Sequence, residues 1–448
     1  MRISRSDIPF PPARWPFFYG WFIVFGGIVG AVMSVPGQTI GVAPFTESLI
    51  AALALDRMEL STAYMLGTIG SALILTPAGW FFDRFGARIT AALAAAGLGA
   101  VLLGLSRIDV IARSLAGAMG LPGSAWVTMG VAVVGFFLLR FLGQGVLTMA
   151  SRNMVMKWFD HRRGLANGIM SMIVPPAFSL SVPFMAWVID RRGWSGAWVA
   201  GGLVVGLGMT AFALVFYRDN PEACRLRPDG GMKPKAFDPA HHPAADFTLG
   251  QAMRSWTFWV FNFATAMMGL YLTAFAFHVE SIFDKAGMDK DTAYWFFTPT
   301  AIVTVVTGFT AGWASDHIRL KWLLLAMLLS VAAAVGFTLA MEHASAAFYP
   351  LMLTQGFAAG VFGVMMTVSW ARLFGRRHLG AVSGHNMAWT VLFSAIGPAG
   401  FAAAAKHTDS YAAALWACLG IVLLLALGAL KADRPAAPKP SSEASDAA

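Results

Sequence analysis

The sequence predicts an all-α integral membrane protein with twelve transmembrane helices in two pseudo-symmetric six-helix bundles. Three observations carry this prediction. The 448 residues are 57% hydrophobic and only 12% charged, whereas soluble domains carry about 25% charged residues. Apolar runs long enough to cross a hydrocarbon core about 30 Å thick recur along the whole chain. Short motifs of the first half also reappear in the second half.

The predicted spans are apolar runs of roughly 20 residues or more. The runs 195–217, 322–341 and 411–430 carry no charge and are the clearest. Buried core helices of a large soluble protein are the alternative, and the number of such runs argues against it. In chain order the predicted spans are 17–48, 59–82, 89–106, 126–151, 163–190, 195–217, 253–283, 291–315, 322–341, 347–373, 379–405 and 409–430.

The polar segments define the domains and the orientation. We predict a cytoplasmic N-terminal arm (1–16), an N-terminal bundle (17–217), a cytoplasmic linker (218–252), a C-terminal bundle (253–430) and a disordered cytoplasmic tail (431–448). The tail is rich in Pro, Ala and Ser, a composition typical of disorder. Most of the 32 Lys and Arg residues fall on one side of the membrane when both termini are cytoplasmic. The positive-inside rule therefore predicts a multi-pass inner-membrane protein in that orientation.

An internal repeat supports the division into halves. Gly79-Trp-Phe-Phe-Asp83-Arg84 follows span 2, and Gly312-Trp-Ala-Ser-Asp316-His317 follows span 8. A second pair of motifs opens spans 5 and 11. Gly164 directly follows the arginine pair 162–163, and Gly380 follows the arginine pair 376–377 with His378 and Leu379 in between. Halves that repeat in parallel are typical of transporters.

These motifs resemble those of the major facilitator superfamily. Gly79-x-x-x-Asp83-Arg84-x-Gly86-x-Arg88 is similar to its loop motif, and the span 4 sequence Arg140-Phe-Leu-Gly-Gln144-Gly is similar to its second motif. The Phe-Tyr-Gly-Trp start of span 1 and the NPE…RPDG stretch before Thr248 resemble the monocarboxylate and oxalate–formate antiporter branch. The resemblance implies a secondary transporter of a small organic anion that works by alternating access and is not an enzyme.

The chain departs from that branch at one point. Carboxylate transporters of this kind often place a basic residue within span 8 or span 11. Here span 8 is uncharged from Trp295 to Ala314, and span 11 offers only His385 before Lys406. The departure puts a dicarboxylate substrate in doubt.

The repeated acids are candidate gating residues. By the resemblance, Asp83 docks on the start of span 11 near Gly380, and Asp316 docks on the start of span 5 near Gly164. A carboxylate at a helix N-terminus gains about 0.3–1 kcal/mol. In the alternative interpretation Asp83 only fixes a tight turn. The predicted gating set is Gly79, Asp83, Arg84, Gly86, Arg88, Gly312, Asp316, Arg319, Gly164, Gly380, Arg162 and Arg376.

Arg140 is the central substrate candidate because it is the only charge between Leu121 and Ala150. A charge in mid-membrane costs a few kcal/mol and so faces a cavity or a partner. It either binds an anionic substrate, with Gln144 one turn away, or caps carbonyls of a neighbouring helix. The resemblance also allows a role in proton relay.

Further substrate candidates come from polar positions in otherwise apolar spans. Pro36 to Gly41 predicts a broken span 1, which often marks a transporter binding site, although packing flexibility explains it nearly as well. Tyr271 is the repeat counterpart of Gln38, and span 11 adds a His-Asn pair. The predicted substrate-binding set is Arg140, Gln144, Gln38, Thr39, Tyr271, His385 and Asn386.

Candidate coupling residues are His385, Glu47 and Glu280, and the expected partners are a small-molecule substrate, the lipid bilayer, and protons or a counter-anion. We expect no cofactor, metal or nucleic-acid partner, because no metal-ligand spacing, nucleophile–base pair or phosphate-binding loop occurs in the sequence. We also expect a monomer, which is the default for transporters built of two halves. Two alternatives remain. One is uptake or export of a larger neutral metabolite with a structural Arg140, and the other is a membrane receptor or sensor.

Overall fold

The computed structural model describes residues 8–231, 243–341 and 343–437. All regular structure in these residues is helical, and the helices form twelve spans. The parts of the predicted arm, linker and tail at 1–7, 232–242 and 438–448 lie outside the described residues. In the first half, span 1 is Tyr19–Met33, Thr39–Val42 and Thr46–Leu53; span 2 is Arg57–Leu73 and 75–85; span 3 is 87–105; span 4 is Ala125–Leu139, Arg140–Leu147 and Thr148–Trp158; span 5 is 163–192; span 6 is 194–203, Val204–Met209 and Thr210–Phe216. In the second half, span 7 is Trp256–Lys285; span 8 is Lys290–Trp295 and Phe297–Ser315; span 9 is Leu320–Met341; span 10 is Phe348–Phe374; span 11 is Leu379–Thr408; span 12 is Ala412–Leu430.

Two single-residue breaks separate spans that otherwise run on as one helix. Nine helices of the described residues are long and apolar enough to cross a membrane, or ten if the bent pair Thr39–Leu53 and Arg57–Leu73 is one span. Helix Leu75–Leu105 is interrupted at Gly86 (φ 81°, ψ 174°), and helix Arg163–Leu203 at Gly193 (φ 70°, ψ 166°). Glycine adopts such positive φ values without steric cost. Dividing the two long helices at these breaks gives eleven spans, and span 1, which begins with the shorter apolar helix Tyr19–Met33, is the twelfth.

Small residues allow neighbouring spans of the first half to pack backbone against backbone. A Cβ on Gly99 of span 3 would lie 2.3 Å from the Cα of Gly206 of span 6. At one end of this pair Ser195 Oγ donates to Ser106 O (2.7 Å), and at the other Arg88 N donates to an Asp219 carboxylate (3.1 Å). Spans 3 and 6 are therefore antiparallel, with glycines at the contact as in other helix pairs in membranes.

The two membrane faces are named by their residues. The linker face carries Asp219, Asp229 and Asp246, whose carboxylates accept hydrogen bonds from the backbone that precedes spans 3, 5 and 11. The far face carries ion pairs within each half, including Glu47 with Arg57. Spans 2 and 5 of the first half pack against spans 11 and 8 of the second.

A short helix that the sequence analysis did not identify covers part of the far face. Helix Ile108–Ala118 lies between spans 3 and 4 and packs on span 4. Its Ile108 and Ala112 are buried, whereas Val110 and Leu115 are exposed. At 11 residues it is too short to cross a membrane, so it adds no span to the twelve.

Candidate functional site

Span 1 is interrupted at the predicted position. Its first helix ends at Met33, a 3-10 turn covers Val35–Gly37, and Gln38 has extended backbone angles (φ −86°, ψ 156°). A Cβ on Gly37 would lie 2.6 Å from both Gly143 Cα and Leu139 O of span 4. A side chain here would force the two spans apart, so glycine holds the broken segment against span 4.

Arg140 bridges span 4 to this broken segment. Its Nη1 donates to the Gly37 carbonyl (3.1 Å) and to Thr39 Oγ1 (3.2 Å), and its guanidinium lies 5.4 Å from the centre of the Tyr64 ring. The side chain is only 3% exposed. In this conformation the guanidinium donates to a carbonyl and a hydroxyl group of a neighbouring span. These contacts are the ones expected if Arg140 is a structural residue. Substrate contact by Arg140 stays a prediction that requires these bonds to rearrange.

The two glutamines near the break differ in their hydrogen bonding. Gln38 Nε2 donates to Ser34 Oγ (3.1 Å) and Thr148 Oγ1 (3.2 Å). Gln144 Oε1 is buried and has no hydrogen-bond partner among the described residues. Gln144 lies in the π-helical part of span 4, Arg140–Leu147, and π-helical turns occur frequently at functional sites. Gln144 thus keeps an unused acceptor beside Arg140.

Tyr271 and Asn386 hold spans of the second half together. Tyr271 donates to Gln355 Oε1 of span 10 (3.3 Å), and Asn386 Nδ2 donates to Thr265 Oγ1 (2.7 Å) and Asn262 Oδ1 (3.2 Å) of span 7. Both are fully buried. None of these partners contacts Arg140, so the predicted substrate set is divided between two separate clusters.

His385 lies at the interface between the halves. Its Nε2 accepts from Trp389 Nε1 (3.0 Å), and its Nδ1 is 3.3 Å from Thr76 Oγ1 of span 2. An indole nitrogen only donates, so Nε2 must be unprotonated and the neutral ring carries its proton on Nδ1. A proton on Nε2 would remove the acceptor and break the hydrogen bond from Trp389. The contacts of His385 therefore depend on its protonation state.

The two glutamate coupling candidates lie on the far face instead. Glu47 pairs with Arg57, and Glu280 pairs with Lys290 (3.0 Å) and accepts from Tyr294. All of these groups are largely exposed. Exposed pairs of this kind contribute little to stability, and neither glutamate contacts the interface of the halves in the described structure.

Asp83 docks on the first residues of span 11. Its two carboxylate oxygens accept from Gly380 N (2.7 Å) and Ala381 N (2.8 Å). A Cβ on Gly79 would lie 2.1 Å from Gly380 O, so glycine is required for this approach. Lys157 Nζ lies 4.0 Å from the carboxylate. The anion therefore meets the unpaired N–H groups of a helix N-terminus, where it is stabilised.

Asp316 repeats this arrangement on span 5. Its oxygens accept from Gly164 N (2.7 Å) and Leu165 N (2.9 Å). A Cβ on Gly164 would lie 1.9 Å from Gly312 O. Burial raises the pKa of Asp316 to about 6, although the two N–H donors act to lower it. Both docking contacts join one half to the other, and their role as a gate stays a prediction.

The remaining members of the predicted gating set either form turns and ion pairs within one half or are exposed to solvent. Gly86 forms the turn between spans 2 and 3, and Arg88 N donates to Asp219. Arg84 is exposed beside Phe85. Arg319 pairs with Asp433 (3.2 Å) inside its own half. These contacts shape the linker face without crossing between the halves.

The arginines before spans 5 and 11 have unequal surroundings. Arg376 crosses the interface, donating to the Lys157 carbonyl (2.6 Å) and to Glu222 of the linker (2.8 Å). Arg162 is exposed. The buried arginine of that pair is its neighbour Arg163, which contacts Asp160 at 2.9 Å.

The sequence analysis missed two linker carboxylates that hold the loops before spans 5 and 11. Asp229 accepts from Asp160 N (3.0 Å) and His161 N (2.9 Å), and Asp246 accepts from Arg376 N (2.7 Å) and Arg377 N (3.2 Å). The sequence feature that could have indicated them is an aspartate on each side of the Pro- and His-rich centre of the linker. These residues make the linker part of the interface structure.

A second missed residue is Arg152, on the linker side of span 4. It lines a cavity of about 80 Å³ between spans 4, 5, 8 and 10, so both halves contribute to the cavity wall. The predicted span 4 ends at residue 151, which leaves Arg152 outside the span. The structure continues the helix to Trp158, which moves this guanidinium to the interface of the halves.

The described hydrogen bonds between the halves gather on the linker side. They involve the Asp83 and Asp316 docking contacts, Arg376, the Thr76–His385 pair, and Asn153 Nδ2 donating to Ser383 Oγ (2.7 Å). The conformation is therefore closed at the linker face.

Comparison with known proteins agrees with this architecture. The oxalate:formate antiporter of Oxalobacter formigenes is 25% identical over 230 residues, which is 50% of this chain and 46% of that protein. The match thus spans about half the length of that relative. A solved proton:xylose symporter superposes with a TM-score of 0.65 at 14% identity, over 92% of this chain and 95% of that one.

Two further solved structures share the fold. A bacterial homologue of the iron transporter ferroportin in an outward-facing state gives a TM-score of 0.64 at 14% identity, over 92% and 99% of the chains. The fucose:proton symporter of E. coli gives 0.63 at 12% identity, over 93% and 98%. The family model of the Major Facilitator Superfamily matches residues 22–280 and 259–447. The chain therefore belongs to the major facilitator superfamily and is a membrane carrier, not an enzyme.

Proposed function

We propose that this carrier moves a small organic anion of the monocarboxylate type by alternating access. The observation that carries the proposal is the charge of span 4, which holds the guanidinium groups of Arg140 and Arg152 inside the bundle. Among the described residues no carboxylate lies within ion-pair distance of either group. Uncompensated charge inside a membrane is costly and typical of a functional site. An anionic substrate would supply the missing counter-charge.

The antiporter relative supports the same substrate class. That protein exchanges two small carboxylates according to its name, and it is similar to half of this chain. Span 8 lacks the basic residue that the branch often carries, so Arg152 of span 4 supplies the positive charge from the opposite half. A neutral metabolite remains the second candidate, because the contacts of Arg140 with Gly37 and Thr39 are those of a structural arginine.

The proposed mechanism uses the linker face as the cytoplasmic gate. The distribution of Lys and Arg supports this orientation, and the conformation described would then be closed to the cytoplasm. Opening that face requires the Asp83 and Asp316 docking contacts to separate, because each joins the two halves. His385 is the favoured coupling candidate, since it lies between the halves whereas Glu47 and Glu280 pair on the far face. Each carrier is proposed to work as a monomer.

The test is counterflow in proteoliposomes that contain the purified full-length chain. Vesicles loaded with unlabelled formate, acetate, propionate, lactate or oxalate receive the same labelled compound outside, with and without a pH gradient. We expect exchange of at least one carboxylate, with loss in Arg140→Ala and no loss in Arg113→Ala, an exposed arginine of the far-face helix. Accumulation driven by the pH gradient would indicate proton coupling, and His385→Gln should abolish that component. Absence of exchange for every carboxylate by folded protein would refute the anion proposal and favour the neutral metabolite.

A further inference from the structure

The cavity between spans 4, 5, 8 and 10 is large enough for more than ordered water. Its volume is about 80 Å³, whereas about 10–15 Å³ of such space holds one water. It lies on the inner side of the Asp316 docking contact, because Ser171 and Gly308 in its wall follow Gly164 and precede Gly312 on the same two spans. A ligand in this cavity would touch both halves of the carrier.

Arg152 gives the cavity its charge. The side chain is half-buried and has no hydrogen bond or ion pair in the part of the chain that the structure describes. A guanidinium that is partly withdrawn from water and left without a counter-charge is disfavoured. No acidic residue lines the cavity, so a cation would be repelled. The electrostatics of the cavity therefore select an anion.

Neutral donors lie beside the guanidinium. Among the described residues Ser171 Oγ accepts one long hydrogen bond from Asn167 Nδ2 (3.5 Å) and donates none, so its hydroxyl proton is free to donate. Thr367 also lines the cavity and has no hydrogen bond in the described residues. Thr304, in contrast, donates to Thr300 O (2.8 Å) and has no proton left for a ligand. Spans 4, 5 and 10 thus present donors that suit oxygen atoms of an anion.

Part of the cavity lining is apolar. Met170, Val174 and Pro175 of span 5 and Ala359 of span 10 face the same space. A ligand with one charged end and a short hydrocarbon end fits this division. Arginine binds a planar carboxylate through two parallel hydrogen bonds, which a spherical anion cannot match.

We propose that Arg152 binds the carboxylate of a small monocarboxylate in this cavity, with Ser171, Asn167 and Thr367 as additional donors. This inference rests on the proposed function and assigns its binding site, with Arg140 holding the broken segment of span 1. Because span 10 belongs to the other half, the bound anion joins the two halves beside the Asp316 docking contact.

The experiment measures ligand-induced thermal stabilisation of the purified full-length protein in detergent. Formate, acetate, propionate and oxalate are titrated at constant ionic strength, with acetamide and propionamide as uncharged isosteres. A ligand that binds only the native state raises the melting temperature with its concentration. We expect stabilisation by acetate or propionate and none by the amides. Arg152→Gln should require at least about tenfold more ligand for the same shift, because charge-assisted hydrogen bonds are lost, with Arg152→Lys intermediate.

A second variant keeps the arginine and fills the space. A Cβ on Gly363 would have only Ser171 Oγ nearby, at 3.9 Å, so Gly363→Ala adds no clash and Gly363→Val occupies more of the cavity. Both should weaken binding in that order without loss of the unliganded melting temperature. Gly336→Ala on span 9, whose Cβ would meet no atom within 4 Å, is the matched control. If Arg152→Gln does not fold, the comparison of the Gly363 variants with Gly336→Ala tests the site.

The outcomes separate the site from the function. No stabilisation by any of the four carboxylates, or stabilisation that survives both Arg152→Gln and Gly363→Val, overturns the site. Carboxylate counterflow that continues in Arg152→Gln overturns the site and leaves the proposed function standing. Stabilisation that depends on Arg152, together with no carboxylate counterflow, supports the site and refutes the function.

Discussion

Removing the Asp316 carboxylate should open the linker face. In Asp316→Ala the N–H groups of Gly164 and Leu165 lose their acceptors (2.7 and 2.9 Å) while they remain at a closed interface. A buried donor without a partner costs about 1–3 kcal/mol, and water can replace the carboxylate only where space allows. We therefore expect the closed state to lose at least about 2 kcal/mol, which is roughly a 30-fold shift of the equilibrium.

The assay is the labelling rate of a buried cysteine at the linker side. Asn153 is 4% exposed in the closed state, so Asn153→Cys in a chain without Cys224 and Cys418 reports opening through reaction with an impermeant maleimide. Labelling from the linker side should accelerate in Asp316→Ala and further in the double variant with Asp83→Ala, because both docking contacts oppose the same motion.

The control is Asp433→Ala, which removes an acid that pairs with Lys321 (2.7 Å) inside the second half. It should leave the labelling rate unchanged. An unchanged rate in Asp316→Ala and in the double variant would refute the gate and leave Asp83 and Asp316 as residues that only fix local turns.

Three further predictions concern pH, packing and the broken span. Burial raises the pKa of Asp316 from its usual 3.8 to about 6 in the closed state. The extra stability that the closed state gains from the protonated carboxyl is therefore complete below about pH 4 and is lost as the pH rises through about 6, while the hydrogen bonds from Gly164 and Leu165 remain. Labelling of Asn153→Cys should increase over that window and lose this increase in Asp316→Asn. Gly380→Ala places a Cβ 2.3 Å from Gly79 O and should accelerate labelling, whereas Gly336→Ala should not. Arg140→Leu leaves the Gly37 carbonyl without its donor and should lower the free energy of unfolding by about 1–3 kcal/mol, measured by thermal denaturation against Arg113→Leu.

The sequence was sufficient for the fold because hydropathy and the repeat are local signals. Each span needs only a long apolar run, and the repeated acid after spans 2 and 8 also indicated where each half would touch the other. The docking geometry then follows, since the start of a helix offers unpaired N–H groups to a nearby carboxylate. Asp83 and Asp316 accept two such bonds each. The predicted boundary between spans 5 and 6 at 191–194 contains the observed turn at Gly193. That a single residue makes this turn was not predicted, because one positive φ leaves no trace in hydropathy.

The proposed substrate site was less accessible from sequence, because its residues are brought together only by the packing of four spans. Arg152 follows the predicted end of span 4, and a charge there is indistinguishable by sequence from a surface residue at the membrane boundary. Arg140 stood out because it interrupts an apolar run, yet its contacts are with Gly37 and Thr39 of the neighbouring span. A charged residue that stands alone in an apolar run is therefore predicted to be buried. The sequence does not show whether its partner is a neighbouring helix or a ligand.

The position of the cavity predicts a link between occupancy of the proposed site and the proposed gate. Ser171 lies seven residues after Gly164 on span 5, which is about 10 Å along a helix, and Gly308 lies one turn before Gly312 on span 8. Spans 5 and 8 are the elements that the Asp316 contact holds together. A carboxylate bound between Arg152 and Ser171 of the first half and Thr367 of span 10 would also hold the halves together, and span 8 packs on both span 5 and span 10. Occupancy and closure of the linker face should therefore depend on one another. The strength of that dependence is measurable as the difference in carboxylate affinity between Asp316→Ala and the unmodified chain.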